Sequence, residues 1–214
     1  MHLVSPSLPT GGFTYSQGIE WAAEAGWIQT SGDLHTWLSD QMTGTLVSLD
    51  LPLLARMHGA AAAGDGEAMS YWIDWLLAAR ETAELRAEEA NRGRAFTDLL
   101  LAWGLPGAPA WKRRLERAQA AGFAFAGFTW GISARDTGLG YVWAWLENLV
   151  LAGVKIVPLG QTEGQQLLRR LAERIPAVVD AGLSCADTEI GACNPALAIA
   201  SAAHEVQYTR LFRS

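Results

Sequence analysis

Few side chains in this sequence have both the type and the spacing that chemistry needs. The four histidines are His2, His35, His58 and His204, and none has an acid at the i, i+4 spacing of a zinc-binding helix. Cys185, Asp187, Glu189, Cys193 and His204 could gather around a metal ion, but their spacing fits no standard motif and suits an ordinary polar loop as well. The glycines of LPTGG at 8–12 lack the GK[ST] ending of a phosphate loop, and no serine stands in a GxSxG elbow. The residues therefore offer no catalytic constellation, no cofactor motif and no standard metal site.

Three charged features ask for an explanation. In 80–94, Arg80–Glu84 and Glu88–Arg92 have i, i+4 spacing, while Arg86–Glu89 and Glu89–Arg92 have i, i+3 spacing. This spacing describes either a solvated helix face laced with weak ion pairs or a charged docking surface. Lys155 interrupts a long apolar run, so it must snorkel from the helix end, find a partner group or meet another protein. In the tail AAHEVQYTRLFRS, Tyr208, Leu211 and Phe212 alternate with Arg210 and Arg213. Packing on its own domain and docking on a partner are both open for such a segment.

The elements that must position these residues all read as helices. After the Pro- and Gly-rich start, a helix is expected over 14–25, stopped by Gly26. Ser31 or Asp33 caps a second, carrying Leu34, Trp37, Leu38, Met42 and Leu46. Asp50 caps a third, with Pro52 in its first turn, and it ends at Gly64. Asp65–Gly66 opens a fourth, which runs or breaks into a helix ending near Gly104. A loop at 104–109, a polar helix at 110–121 and an apolar Gly-rich stretch follow. The 139–157 run is apolar on almost every side, interrupted only by Glu147, Asn148 and Lys155, and marks a central helix. Helices over 161–181 and from 195 towards 207 flank a loop at 185–194. Strand alternation is absent, so the expectation is an all-α, single-domain bundle of nine or ten helices.

Bulk properties narrow the class further. A span of lipid by the central run is disfavoured by Glu147 and Asn148 near its middle, each expensive at bilayer depth. Half of the 214 residues are hydrophobic and ten are tryptophan, which favours burial of surface against a second subunit. A net charge of −6 argues against nucleic acid. Two cysteines and no signal peptide after Met1 point to a reduced, cytoplasmic setting.

The blocks LPTGGFTYSQGIEWAAEAG at 8–26, RETAELRAEE at 80–89, AGVKIVPLGQ at 152–161 and HEVQYTRLFRS at 204–214 resemble the UreF family of urease accessory proteins in order and spacing. The resemblance covers nearly the whole chain. It departs at Ala203, where the family typically has arginine, and in the few residues that precede LPTGG. It implies an all-α homodimeric scaffold without catalysis or cofactor. Such a scaffold binds the accessory protein UreH, also called UreD. With it the scaffold recruits the GTPase UreG and helps place nickel in the urease apoenzyme, as activator or as checkpoint of that GTPase. By the same resemblance Tyr15, Ser16, Gln17, Glu20, Arg80, Glu84 and Lys155 face the GTPase, with Arg80 or Arg86 conceivable as an arginine finger. His204, Glu205, Gln207, Tyr208, Arg210, Leu211, Phe212 and Arg213 belong to the tail, 204–214, that docks UreH or UreD. Leu139 and Trp143 are expected at the dimer contact, for which the apolar excess also argues. The alternative is a direct nickel-binding chaperone using Cys185, Cys193 and His204.

Overall fold

Eleven α-helical segments succeed one another in the described part of the chain, residues 2–191 and 194–214 of a computed structural model, and no strand occurs among those residues. They are α1 (Ile19–Glu24), α2 (Ser31–Gln41), α3 (Leu51–Ala63), α4 (Gly66–Ala79), α5 (Ala83–Ala102), α6 (Ala108–Leu115), α7 (Gln119–Thr129), α8 (Ala134–Ile156), α9 (Gln161–Ala172), α10 (Ile175–Leu183) and α11 (Pro195–His204). A π-helical stretch, Met42–Asp50, joins α2 to α3 end to end, so the segments make ten separate rods. The fold is all-α, as the sequence implied.

The long rod from α2 to α3 corrects the expectation of a cap at Asp50. Asp50 lies mid-rod, in helical backbone, with its carboxylate buried. Pro52 has no N–H for the carbonyl of Ser48, which instead accepts the amide of Gly191 at 2.9 Å. The interruption sits at the end of the wider i→i+5 stretch, where helices often accommodate one. At the start of this rod the capping residue is Thr30, whose hydroxyl takes the Asp33 amide while Asp33 answers at the Thr30 amide.

Other boundaries moved for local reasons. The first helix begins at Ile19, because Gln17 (φ 50°) and Gly18 (φ 80°) turn the backbone left-handed. A Cβ on Gly18 would also meet the Cβ of Ala200 at 3.0 Å. Arg80 is extended and Thr82 caps α5, so α4 and α5 are separate. The polar helix α6 ends at Leu115, and the apolar helix α7 starts at Gln119. The helix expected over 161–181 is broken by Glu173 and Arg174 into α9 and α10.

Helix α8 is the centre of the molecule. It is capped by Ser133, which accepts the Asp136 amide, and packs against α1, α2, α3, α7, α9 and α10. The all-round apolar pattern resolves into a deeply buried face, with Val142, Leu146, Leu149 and Val150, and a half-buried stripe with Leu139, Trp143 and Glu147. The buried apolar side chains join into one core that also takes in α3, α4 and α7. No helix of the described residues is long and apolar enough to cross a membrane.

Candidate functional site

The left-handed turn at Gln17–Gly18 sets Glu20 on the first turn of α1, facing the end of α11 and the tail beyond it. There Glu20 Oε1 accepts the amide of Leu211 at 2.6 Å, and Oε2 accepts the amide of Phe212 at 2.9 Å. Glu84, in the first turn of α5, accepts Arg210 Nη1 at 2.7 Å. The imidazole of His204, which closes α11 and has no exposed surface, lies between them. Its Nδ1 is 2.7 Å from Glu84 Oε2, and its Nε2 is 3.2 Å from Glu20 Oε2.

The rest of the tail is tied down in the same manner. Glu205 accepts the amides of Ala83 and Glu84, placing a carboxylate at the positive end of α5. Gln207 donates to Glu24 at 2.5 Å. The amide and hydroxyl of Ser16 both donate to the Ser214 carbonyl at 2.6 Å, and the Arg213 amide donates to Thr14 at 2.8 Å. Ser214 Oγ donates to Glu88, which also accepts from Gln17 at 3.1 Å. Phe212 is buried, with Lys155 Nζ 5.8 Å from its ring centroid, within cation–π reach. Val206, Tyr208, Leu211 and Arg213 point outwards; Tyr208 is fully exposed.

A second polar cluster lies under the first. Arg80 Nη2 bonds Asp50 Oδ1 at 2.5 Å and Glu89 Oε1 at 2.6 Å, and Arg92 bonds Glu88 at 2.6 Å. Burial pushes the Asp50 carboxyl above its ordinary value although Arg80 pulls it down. Burial opposes the charge on Arg80, but Asp50 and Glu89 outweigh it and hold the guanidinium more firmly protonated than usual. The Tyr141 hydroxyl, 3.5 Å from Asp50, is pushed well up by burial and then by Asp50 and Glu89. The cluster borders a cavity of about 30 Å³, room for water, reached also by Gln17, Gln41 and Trp145.

Of the residues assigned to the GTPase face, Ser16, Gln17, Glu20 and Glu84 are gathered with the tail, and Arg80 sits in the deeper cluster. Tyr15 and Ser16 are buried, and the Arg80 side chain keeps 11 % of its surface. Tyr15 Oη accepts from Asn91 at 3.2 Å. Lys155 is exposed at the end of α8, and Arg86 is exposed with one guanidinium nitrogen on the Arg80 carbonyl. The solvated face read along 80–94 needs correction. Glu88, Glu89 and Arg92 are buried, Arg80 pairs with Asp50 and Glu89 and not with Glu84, and only the Glu88–Arg92 pair of those expected forms as an ion pair. The pairing of Arg80 with Asp50 and Glu89 was missed because Arg80 follows α4, Asp50 precedes α3 and Glu89 lies in α5, a convergence that spacing along one helix cannot reveal. The sole hint was Asp50 at the head of an otherwise apolar run.

The metal reading does not gain support. Among the described residues no group of three or more His, Cys, Asp or Glu is disposed to hold an ion. His204 is engaged by Glu20 and Glu84, while Cys185 is half-buried beside Asp187 and Arg56, where burial raises its thiol. Cys193 lies outside the described residues.

A family model described as UreF matches residues 28–172, more than half of the chain. A protein of Pseudomonas entomophila (strain L48) described as "Urease accessory protein UreF" is 52% identical over all of this chain and 96% of its own length. Proteins with the same description from Escherichia coli O157:H7 and Alcanivorax borkumensis are 48% and 47% identical, over 100% and 99% of this chain and 96% and 95% of theirs.

Proposed function

This chain belongs to the UreF family of urease accessory proteins, and from that premise we propose that it is a homodimeric, non-catalytic scaffold for nickel insertion. On this reading the tail docks the UreH- or UreD-type accessory protein, and the pair recruits the UreG-type GTPase to the urease apoenzyme in the cytoplasm. The observation that carries the proposal is the two-sidedness of 204–214. His204, Phe212 and Ser214 anchor one side to α1, α5 and α8, while Val206, Tyr208 and Leu211 stand free on the other. An aromatic and a leucine held outwards by a fixed backbone form a preorganised hot spot, because the ordering entropy has been met before a partner arrives.

The GTPase surface is the neighbouring patch with Lys155 and Glu84 at its rim, and Tyr15, Ser16, Gln17, Glu20 and Arg80 are its support. Differential affinity of this patch for the two nucleotide states would bias the GTPase one way or the other. Leu139 and Trp143, on the half-buried stripe of α8, are the dimer contact.

Co-expression with the UreH-type protein tests the central part. Tyr208→Ala with Leu211→Ala should weaken the complex by at least about a hundredfold, the scale of two interface hot spots, with the helical circular dichroism unchanged. A double variant that co-elutes with undiminished affinity would overturn the docking role of the tail.

A further inference from the structure

We propose that the tail is latched by a single proton held on His204 between Glu20 and Glu84, so that raising the pH unlatches it. This deepens, and rests on, the reading of the tail as a docking segment; the latch itself is a property of the chain alone. Both ring nitrogens face a carboxylate oxygen, at 2.7 Å and 3.2 Å. A neutral imidazole carries one N–H, so it can satisfy only one of the two. The second contact requires a further proton in the group. Glu20 already accepts two backbone amides and Glu84 the Arg210 guanidinium, so both carboxylates act as acceptors and neither offers a donor to the ring. The extra proton therefore resides on the ring, as imidazolium.

The charges around the ring agree with that placement. On α1, Glu20 faces it, and Glu24, one turn further, is held by Gln207. On α5, Glu84 faces it and Glu88 lies one turn beyond, bound to Arg92, Gln17 and Ser214. Glu205 follows in the chain and sits at the start of α5, Arg210 lies across Glu84, and Lys155 of α8 reaches Phe212. Two carboxylates thus touch the imidazole, while Arg210 binds the far oxygen of Glu84.

Loss of the proton has a directional effect. The remaining N–H stays with Glu84 at the shorter contact, and a bare nitrogen is left against Glu20. That carboxylate is the one that holds the Leu211 and Phe212 amides. A proton held in the docked state and released from the free tail stabilises docking at low pH, and the stabilisation disappears as pH rises.

Hydrogen exchange of 205–214 in the isolated chain, expressed as protection relative to an unstructured peptide at the same pH, tests the latch. Protection should fall roughly tenfold or more between about pH 5 and about pH 8, the range in which an imidazole side chain changes charge. Protection in α7 should stay constant. His204→Gln keeps one donor and cannot titrate, so its tail should be less protected, with no such fall. A flat wild-type profile, or the same profile in His204→Gln, would overturn the proposal. Should His204→Gln not fold, the ¹⁵N shifts of the wild-type ring decide: a ring singly protonated at about pH 5 overturns it, and a ring that passes from doubly to singly protonated in step with the loss of tail protection supports it. A tail that binds no UreH-type protein at any pH would remove the docking role and leave this exchange profile standing.

Discussion

Removing the Arg80 guanidinium would leave Asp50 and Glu89, both buried, to face each other without a cation. Breaking a buried pair in this way typically costs about 3–5 kcal/mol, because the charges left behind keep their desolvation penalty. Arg80→Met, which keeps an unbranched apolar stem and removes the guanidinium, should cost that much in urea unfolding near pH 7. The cost should shrink as pH falls. Burial already holds the Asp50 carboxyl above its ordinary 3.8, and losing Arg80 removes a cause that lowers it. Above 3.8 the native variant then binds a proton that the unfolded chain has released, so its stability rises as pH drops through that window. A penalty that is the same at about pH 5 and about pH 7 would refute this account. At this scale the sequence was only half legible. The i, i+4 pair Glu88–Arg92 was readable from spacing, whereas Arg80 with Asp50, and His204 with Glu20, join residues 30 and 184 positions apart.

Among the elements, the helical rods were legible from apolar periodicity, and their ends were not where tertiary contacts decide them. Pro52 looked like a helix start because proline is tolerated there, yet Gly191 supplies the donor that lets it sit mid-rod. Helix-to-helix approach gives a sharper test of the packing. A Cβ on Gly93 of α5 would lie 2.8 Å from backbone atoms of Ala118, which cannot step aside as a flexible side chain can. A Cβ on Gly59 of α3 would meet nothing within 4 Å. Alanine gains up to about 1 kcal/mol over glycine in a helix, while overpacking costs about 1–3 kcal/mol. Gly59→Ala should therefore raise the melting temperature and Gly93→Ala should lower it, in thermal scans of the same preparation. Equal shifts in both variants would mean that Gly93 of α5 and Ala118 at the start of α7 do not approach as closely as 2.8 Å requires.

For the molecule as a whole, the question is what covers the surface that its own helices leave uncovered. The buried face of α8 is closed by six neighbouring helices, but Leu139 and Trp143 remain half-buried on the opposite stripe. Beside them, burial pushes the Glu147 carboxyl up despite a bond from Trp143. One helix face meeting its own copy about a twofold axis would bury each of these residues twice, an economical way to hide apolar surface. A second exposed aromatic group, Phe128, Trp103 and Trp130, lies at the ends of α5 and α7 and offers the competing location. Charged substitutions separate the two. Leu139→Arg with Trp143→Arg should convert the proposed dimer into a monomer in size-exclusion chromatography with light scattering, because a buried unpaired guanidinium is not tolerated in an interface core. Phe128→Arg should leave the mass unchanged. The reverse pattern would move the proposed dimer axis from α8 to the α5–α7 end, and with it the relative placement of the two tails, each of which lies against α1, α5 and the end of α8 of its own chain.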